Sequence, residues 1–114
     1  MIETVPNAEI GIIGFGSSHW ALTESRDQLR DEHNLATDYL RIRAFPFASE
    51  ISDFVRSHKR VYVVEQNRDA QMLALLKLDL DGELVAKLRS VARLDGLPLD
   101  ARSVTDEIAA MEGK

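Results

Sequence analysis

The chain has 114 residues, 45% of them hydrophobic, with a formal net charge of -5 and no cysteine. That is the size of one ordinary globular domain, able to bury roughly two thirds of its unfolded surface. The acidic balance excludes a nucleic-acid or anionic-membrane surface, which needs a dense basic patch, and Lys87, Arg89 and Arg93 are the nearest thing to one. The missing cysteines exclude disulfides, a thiolate nucleophile, Cys-ligated zinc and iron–sulfur ligands in this chain. No apolar run approaches the ~20 residues of a membrane span, and Met1-Ile2-Glu3 opens no signal peptide. A soluble cytoplasmic protein is expected.

Short strand-like runs alternate with amphipathic helices, the signature of a mostly parallel sheet covered by helices on both faces. Residues 1–8 read as an edge strand or the remnant of a linker, and 9–112 as an α/β core. Ile10 to Phe15 is apolar without a break, as a central strand covered on both faces should be. Ser17 or Ser18 can cap a helix running to about His33, with Ala21, Ser25 and Leu29 in one row and Leu22 beside them. A second strand is expected near Asp38 to Arg43, ending before Pro46. The next helix carries Ile51, Phe54, Val55 and His58 on one face. Val61 to Val64 is the third inner strand, and the helix after it carries Met72, Leu73, Leu75 and Leu76, a wide apolar surface running on to Leu80. A fourth strand falls within Lys87 to Leu94, followed by a turn at Asp95-Gly96 and a rigid Leu97-Pro98 link. Asp100 caps the last helix, Leu99 is placed to staple against Val104, and Val104, Ile108 and Met111 form its inner row.

Several chemistries fail on spacing. Gly11-x-x-Gly14-x-Gly16 reverses the dinucleotide fingerprint, and no acidic residue follows where ribose recognition needs one. Ser17 and Ser18 lack the flanking glycines of a nucleophile elbow, so capping is favoured over esterase chemistry with His19. His19, His33 and His58 have no metal-ligand spacing and read as structural or surface residues. Trp20 reads as packing rather than the floor of a pocket.

Two strand-to-helix junctions remain as candidates. Gly16, Ser17, Ser18 and His19 stand where a helix N-terminus presents free N–H groups, so they form either an anion- or carbonyl-binding loop or a self-capped helix start. Glu65, Gln66, Asn67 and Arg68 place four hydrogen-bonding side chains in a row where a central strand ends. Asn67 can cap the next helix and Glu65 can pair with Arg68, but an interaction role is favoured over a bland turn.

Five segments together resemble a known family: Gly14-Phe15-Gly16-Ser17-Ser18-His19-Trp20-Ala21, Tyr39-Leu40-Arg41-Ile42-Arg43-Ala44-Phe45-Pro46-Phe47, Val61-Tyr62-Val63-Val64-Glu65-Gln66-Asn67-Arg68-Asp69, Lys87-Leu88-Arg89-Ser90-Val91 and Asp95-Gly96-Leu97-Pro98-Leu99. In this order they are similar to the C-terminal domain of the alpha subunit of 2-oxoacid:ferredoxin oxidoreductases, especially the 2-oxoglutarate type, from about Ala8 to Ala109. Two positions depart from the family pattern. Ala70 stands where a glycine is usual, and Ala48 stands where an asparagine commonly caps a helix, which passes the cap to Ser49.

The resemblance implies a transketolase C-terminal-domain fold, three layers of α/β structure with one antiparallel edge strand. It implies an enzyme complex that oxidatively decarboxylates a 2-oxoacid onto coenzyme A with thiamine diphosphate and iron–sulfur clusters, passing electrons to ferredoxin. This chain holds no Gly-Asp-Gly thiamine motif followed by paired asparagines and no cysteine, so no cofactor is expected in it. The expected role is that of a non-catalytic domain, excised from a larger subunit and inactive alone. Its partners would be the remaining alpha-subunit domains, the beta subunit and a dimer mate, with ferredoxin met only through the full complex. Residues 16–19 and 65–68 would line a substrate or coenzyme A channel. A different class stays open beside it, an autonomous small-molecule or anion-binding module using the Gly-Ser-Ser loop.

Overall fold

Each of the central strands has apolar residues on both faces, and the computed structural model places them inside one five-stranded sheet ordered β1-β3-β2-β4-β5. It describes residues 2–3, 8–15, 19–42, 49–65, 77, 80, 82–92 and 101–113. The strands are β1 (Ile2–Glu3), β2 (Ile10–Phe15), β3 (Thr37–Ile42), β4 (Arg60–Glu65) and β5 (Leu88–Ala92). The helices are α1 (His19–His33), α2 (Ser49–Arg56), α3 (Gly82–Val85) and α4 (Ala101–Met111). β3, β2, β4 and β5 run parallel, with Gly11 opposite both Asp38 and Val61. β1 adds antiparallel to the outer side of β3, pairing Ile2 with Leu40. The expected edge strand is thus present, and the expected second strand begins at Thr37 and ends at Ile42.

Period-two alternation sorts the core into two layers. Ile10, Ile12, Tyr39, Tyr62, Val64 and Val91 face Leu22 and Leu29 of α1 and Val104, Ile108 and Ala109 of α4. Ile13, Leu40, Val61, Val63 and Leu88 face Ile51, Phe54 and Val55 of α2 and Leu84 of α3. The result is the three-layer α/β fold read from the sequence. Its central strand carries two glycines because both helical layers press on it. A Cβ on Gly11 would lie 2.7 Å from the Phe54 ring, and one on Gly14 would lie 2.3 Å from Leu22 Cδ1.

Helix α1 stops because Asn34 takes a left-handed backbone, φ 56°, which asparagine tolerates better than most residues. The Leu35 N–H then donates to the Leu29 carbonyl at 3.0 Å, and Leu35 packs against the core behind it. The capping serines 17 and 18, the 70–76 helix surface, the 95–98 turn and link, and Leu99 and Asp100 lie outside the described residues. Two expectations about side chains fail. Met111 is 47% exposed rather than in the inner row of α4, which ends its buried stripe at Ile108 and Ala109. Trp20 is 79% exposed, because Leu22 rather than Trp20 turns toward the sheet in the first turn of α1.

Candidate functional site

A parallel sheet gathers the C-terminal ends of its strands along one edge, and ligands favour the point where consecutive connections leave in opposite directions. Here that point lies between β2 and β4. From β2 the chain passes through α1 to β3 on one side, while from β4 it passes by Leu80 and α3 to β5 on the other. Gly14 pairs with Val64, so the two strands exit side by side toward residues 16 and 66. Where they are described, the two stretches picked out in the sequence are thus neighbours at one edge of the sheet, with Gly14 of β2 opposite Val64 of β4. His19 is the first residue of α1 and Glu65 the last of β4. Gly16, Ser17, Ser18, Gln66, Asn67 and Arg68 lie outside the described residues.

One charged residue at this edge escaped the sequence reading. Arg41 pairs with Gly14 across β2 and β3 and follows Thr37 and Tyr39 on the strand face that α1 covers. Its Nε is buried and has no hydrogen-bond partner among the described residues. The signal was present in the sequence, since alternation along β3 puts Thr37, Tyr39 and Arg41 on one face, and an arginine at the end of a core-facing row is unusual.

Elsewhere among the described residues the buried polar groups are answered within the protein. His58, on the α2 face, has Nε2 2.6 Å from Asp38 Oδ2 and Nδ1 2.5 Å from the Phe54 carbonyl oxygen, so the ring is held at both nitrogens and has a structural setting. Arg60 donates from Nε and Nη2 to the two oxygens of Glu112, each at 2.6 Å, and the Tyr62 hydroxyl donates to the same carboxylate. The hydrogen bond from Arg60, ahead of every other influence, holds the Glu112 carboxyl below its ordinary range. Burial first and Glu112 second push the Tyr62 hydroxyl upward. A cleft of about 180 Å³ lined by Glu9, Ile10, Asn34, Leu35, Ala36 and Glu112 sits beside this cluster, at the opposite edge of the sheet from the candidate junctions. Its one buried carboxylate is already bidentately paired. Among the described residues no group of His, Asp and Glu side chains is arranged to hold a metal ion, and no helix is long and apolar enough to cross a membrane.

No family model and no curated protein sequence matches the chain. Two solved structures share its fold. A 2-oxoglutarate:ferredoxin oxidoreductase from Magnetococcus marinus, with 2-oxoglutarate, coenzyme A and succinyl-CoA bound, superposes over 96% of this chain with a TM-score of 0.82 and 20% identity. The alpha chain of a probable 2-oxoacid ferredoxin oxidoreductase from Thermoplasma acidophilum superposes over 100% of it with a TM-score of 0.61 and 19% identity. This chain spans 19% of the length of the first and 97% of the second. The three-layer sheet with its antiparallel edge is therefore an arrangement found in chains of 2-oxoacid:ferredoxin oxidoreductases.

Proposed function

We propose that this chain is a non-catalytic α/β domain of a 2-oxoacid:ferredoxin oxidoreductase alpha subunit, with the transketolase C-terminal type of fold and a cytoplasmic location. The observation that carries the reading is the superposition over 96% of the chain on a 2-oxoglutarate:ferredoxin oxidoreductase at a TM-score of 0.82, in a fold where β2 and β4 run side by side. The domain contributes contacts to the rest of the alpha subunit, the beta subunit and a dimer mate. The switch-point edge formed by Gly16, Ser17, Ser18, His19, Glu65, Gln66, Asn67 and Arg68 lines a ligand channel or a subunit interface.

Thiamine diphosphate, coenzyme A and iron–sulfur clusters belong in this reading to the whole complex. The donor set here does not fit a cluster, because the chain has no cysteine thiolate to offer. Electron transfer to ferredoxin and decarboxylation of a 2-oxoacid such as 2-oxoglutarate then fall to other domains, and this chain alone is inactive. The test compares the purified chain with its native assembly in a viologen-reduction assay supplied with 2-oxoglutarate and coenzyme A. No reduction by the isolated chain, and reduction by an assembly containing its peptides from Val61 to Arg89, is expected. Turnover by the isolated chain, or a native species of 12.8 kDa with no associated subunit, overturns the reading.

A further inference from the structure

We propose that His58 is a buried imidazolium, protonated at both ring nitrogens, and that its second proton fastens the C-terminal end of α2 to β3. The inference stands on what each nitrogen faces. Nδ1 lies 2.5 Å from the Phe54 carbonyl oxygen, and Nε2 lies 2.6 Å from Asp38 Oδ2. A carbonyl oxygen accepts and cannot donate, so Nδ1 carries a proton. Ser57 offers no alternative, because its one hydroxyl proton goes to the same Phe54 carbonyl at 3.0 Å, and its Oγ stands farther from Nδ1, at 3.3 Å. A proton also lies between Nε2 and Asp38, since two bare lone pairs do not meet at hydrogen-bond distance. An imidazole is a far stronger base than a carboxylate, so that proton stays on the ring. Both N–H groups then donate, and the ring is charged.

The surroundings favour that charge. Asp38 is buried with the ring, so the pair is neutral as a whole. Helix α2 ends at Arg56, which puts the ring at the negative end of the helix dipole, where Lys87 Nζ also donates to the Arg56 carbonyl at 3.0 Å. The Phe54 ring lies 4.5 Å from the His58 ring, within reach of a cation–π contact. Gly11 closes the other side, since a Cβ there would lie 3.2 Å from His58 Cγ. The other charged and titratable groups described on the elements around the ring are engaged elsewhere. Asp53 and Arg56 pair on the exposed side of α2, Arg60 of β4 pairs with Glu112, Tyr39 and Arg41 of β3 share the strand face that α1 covers, and β2 carries no titratable side chain. Glu9 and Lys59 are exposed, and the Lys59 N–H donates to the Glu9 carbonyl at 2.7 Å. Loss of the second proton would leave one N–H for two acceptors. The ring would then keep either Phe54 or Asp38 and give up the other, freeing the segment from Ser57 to Lys59 that leads from α2 into β4.

The experiment uses the 114-residue chain itself, and its failure leaves the proposed function standing. The nitrogen resonances of the His58 ring are recorded by NMR at neutral pH, beside those of His19 and His33. Two protonated nitrogens are expected for His58, and a bare Nε2 overturns the proposal. Asp38→Asn removes the carboxylate and is expected to leave one ring nitrogen bare at the same pH, a signature that a packing role alone would not move. The same variant is expected to cut the exchange protection of the Lys59 amide by about tenfold or more, the loss of a charge-assisted hydrogen bond. If it does not fold, the native chain is taken to higher pH until one nitrogen of His58 is bare. Lys59 protection, corrected for the intrinsic exchange rate, should then fall by a similar factor. Protonation that persists until the chain unfolds equally supports the proposal, since fold and proton are then lost together. Two protonated nitrogens in Asp38→Asn, or unchanged Lys59 protection once the ring has lost a proton, overturns it.

Discussion

Gly11 and Gly14 are the two positions where a single methyl group tests the packing of the whole sheet. Gly11 lies under the Phe54 and His58 rings on one face, and Gly14 lies under Leu22 and Tyr39 on the other. Phe54, Leu22 and Tyr39 are all buried, so none can swing into solvent to make room. Gly14→Ala and Gly11→Ala are each expected to destabilise the fold by about 1–3 kcal/mol, the usual range for overpacking a core. Urea unfolding of the two variants checks this, and a midpoint equal to the native one at either position would mean the helices are not seated as closely as described. In the sequence these glycines read only as a failed dinucleotide motif. Nothing in spacing alone distinguishes a glycine needed for a turn from one needed for close approach in mid-strand, because the partner ring is 43 residues away for Gly11 and comes from a different element.

At the scale of elements, α1 and α4 are joined by polar as well as apolar contacts. The Thr105 hydroxyl reaches Ser25 Oγ at 2.8 Å, Gln28 Oε1 at 2.6 Å and the Ala101 carbonyl at 2.9 Å, while Arg102 grips the Glu32 carboxylate from the surface. Thr105→Val keeps the shape and leaves Ser25 unanswered in a fully buried position, for an expected loss of about 1–2 kcal/mol. Adding Ser25→Ala should recover part of that loss, since removing both partners is cheaper than orphaning one. A denaturation cycle over the four proteins measures the coupling, and strict additivity would contradict the contact. Most elements were legible in the sequence. Unbroken apolar runs gave β2 and β4, and the three- and four-residue spacing of Ile51, Phe54 and Val55 gave the buried face of α2, which ends at Arg56, so that His58 is buried just beyond the helix. The pairing of α1 with α4 was not legible, because a helix stripe shows that a face is buried without saying which neighbour buries it. For the same reason the exposure of Trp20 and Met111 went against expectation. Each stands at an end of its helix, where the stripe runs past the edge of the sheet that covers it.

For the molecule as a whole, the switch point between β2 and β4 follows from strand order, which alternation of strands and helices in a sequence does not specify. The strands that lead into the two junctions were recognised separately, but only the order β3-β2-β4 makes those strands neighbours. Arg60, Tyr62 and Glu112 tie the segment after α4 to the central sheet at the other edge, and they also set how the fold responds to acid. The folded state holds Glu112 below its unfolded value of 4.5, so its contribution is complete above that pH and fades as pH falls toward the folded value. Glu112→Gln is expected to lower stability by about 1–3 kcal/mol at neutral pH, with the gap to the native chain narrowing below pH 4.5. Urea midpoints on both sides of that pH test it, and a gap that widens in acid would contradict the pairing. The same clamp also orders events in time during synthesis. Arg60 emerges 52 residues ahead of Glu112, an interval of roughly 3 to 10 s at ordinary translation rates. Late in it, once Val91 has followed Tyr62 and Val64 but α4 is not yet complete, a nascent chain passes through a sticky, one-sided sheet whose last cover arrives together with the residue that fastens it.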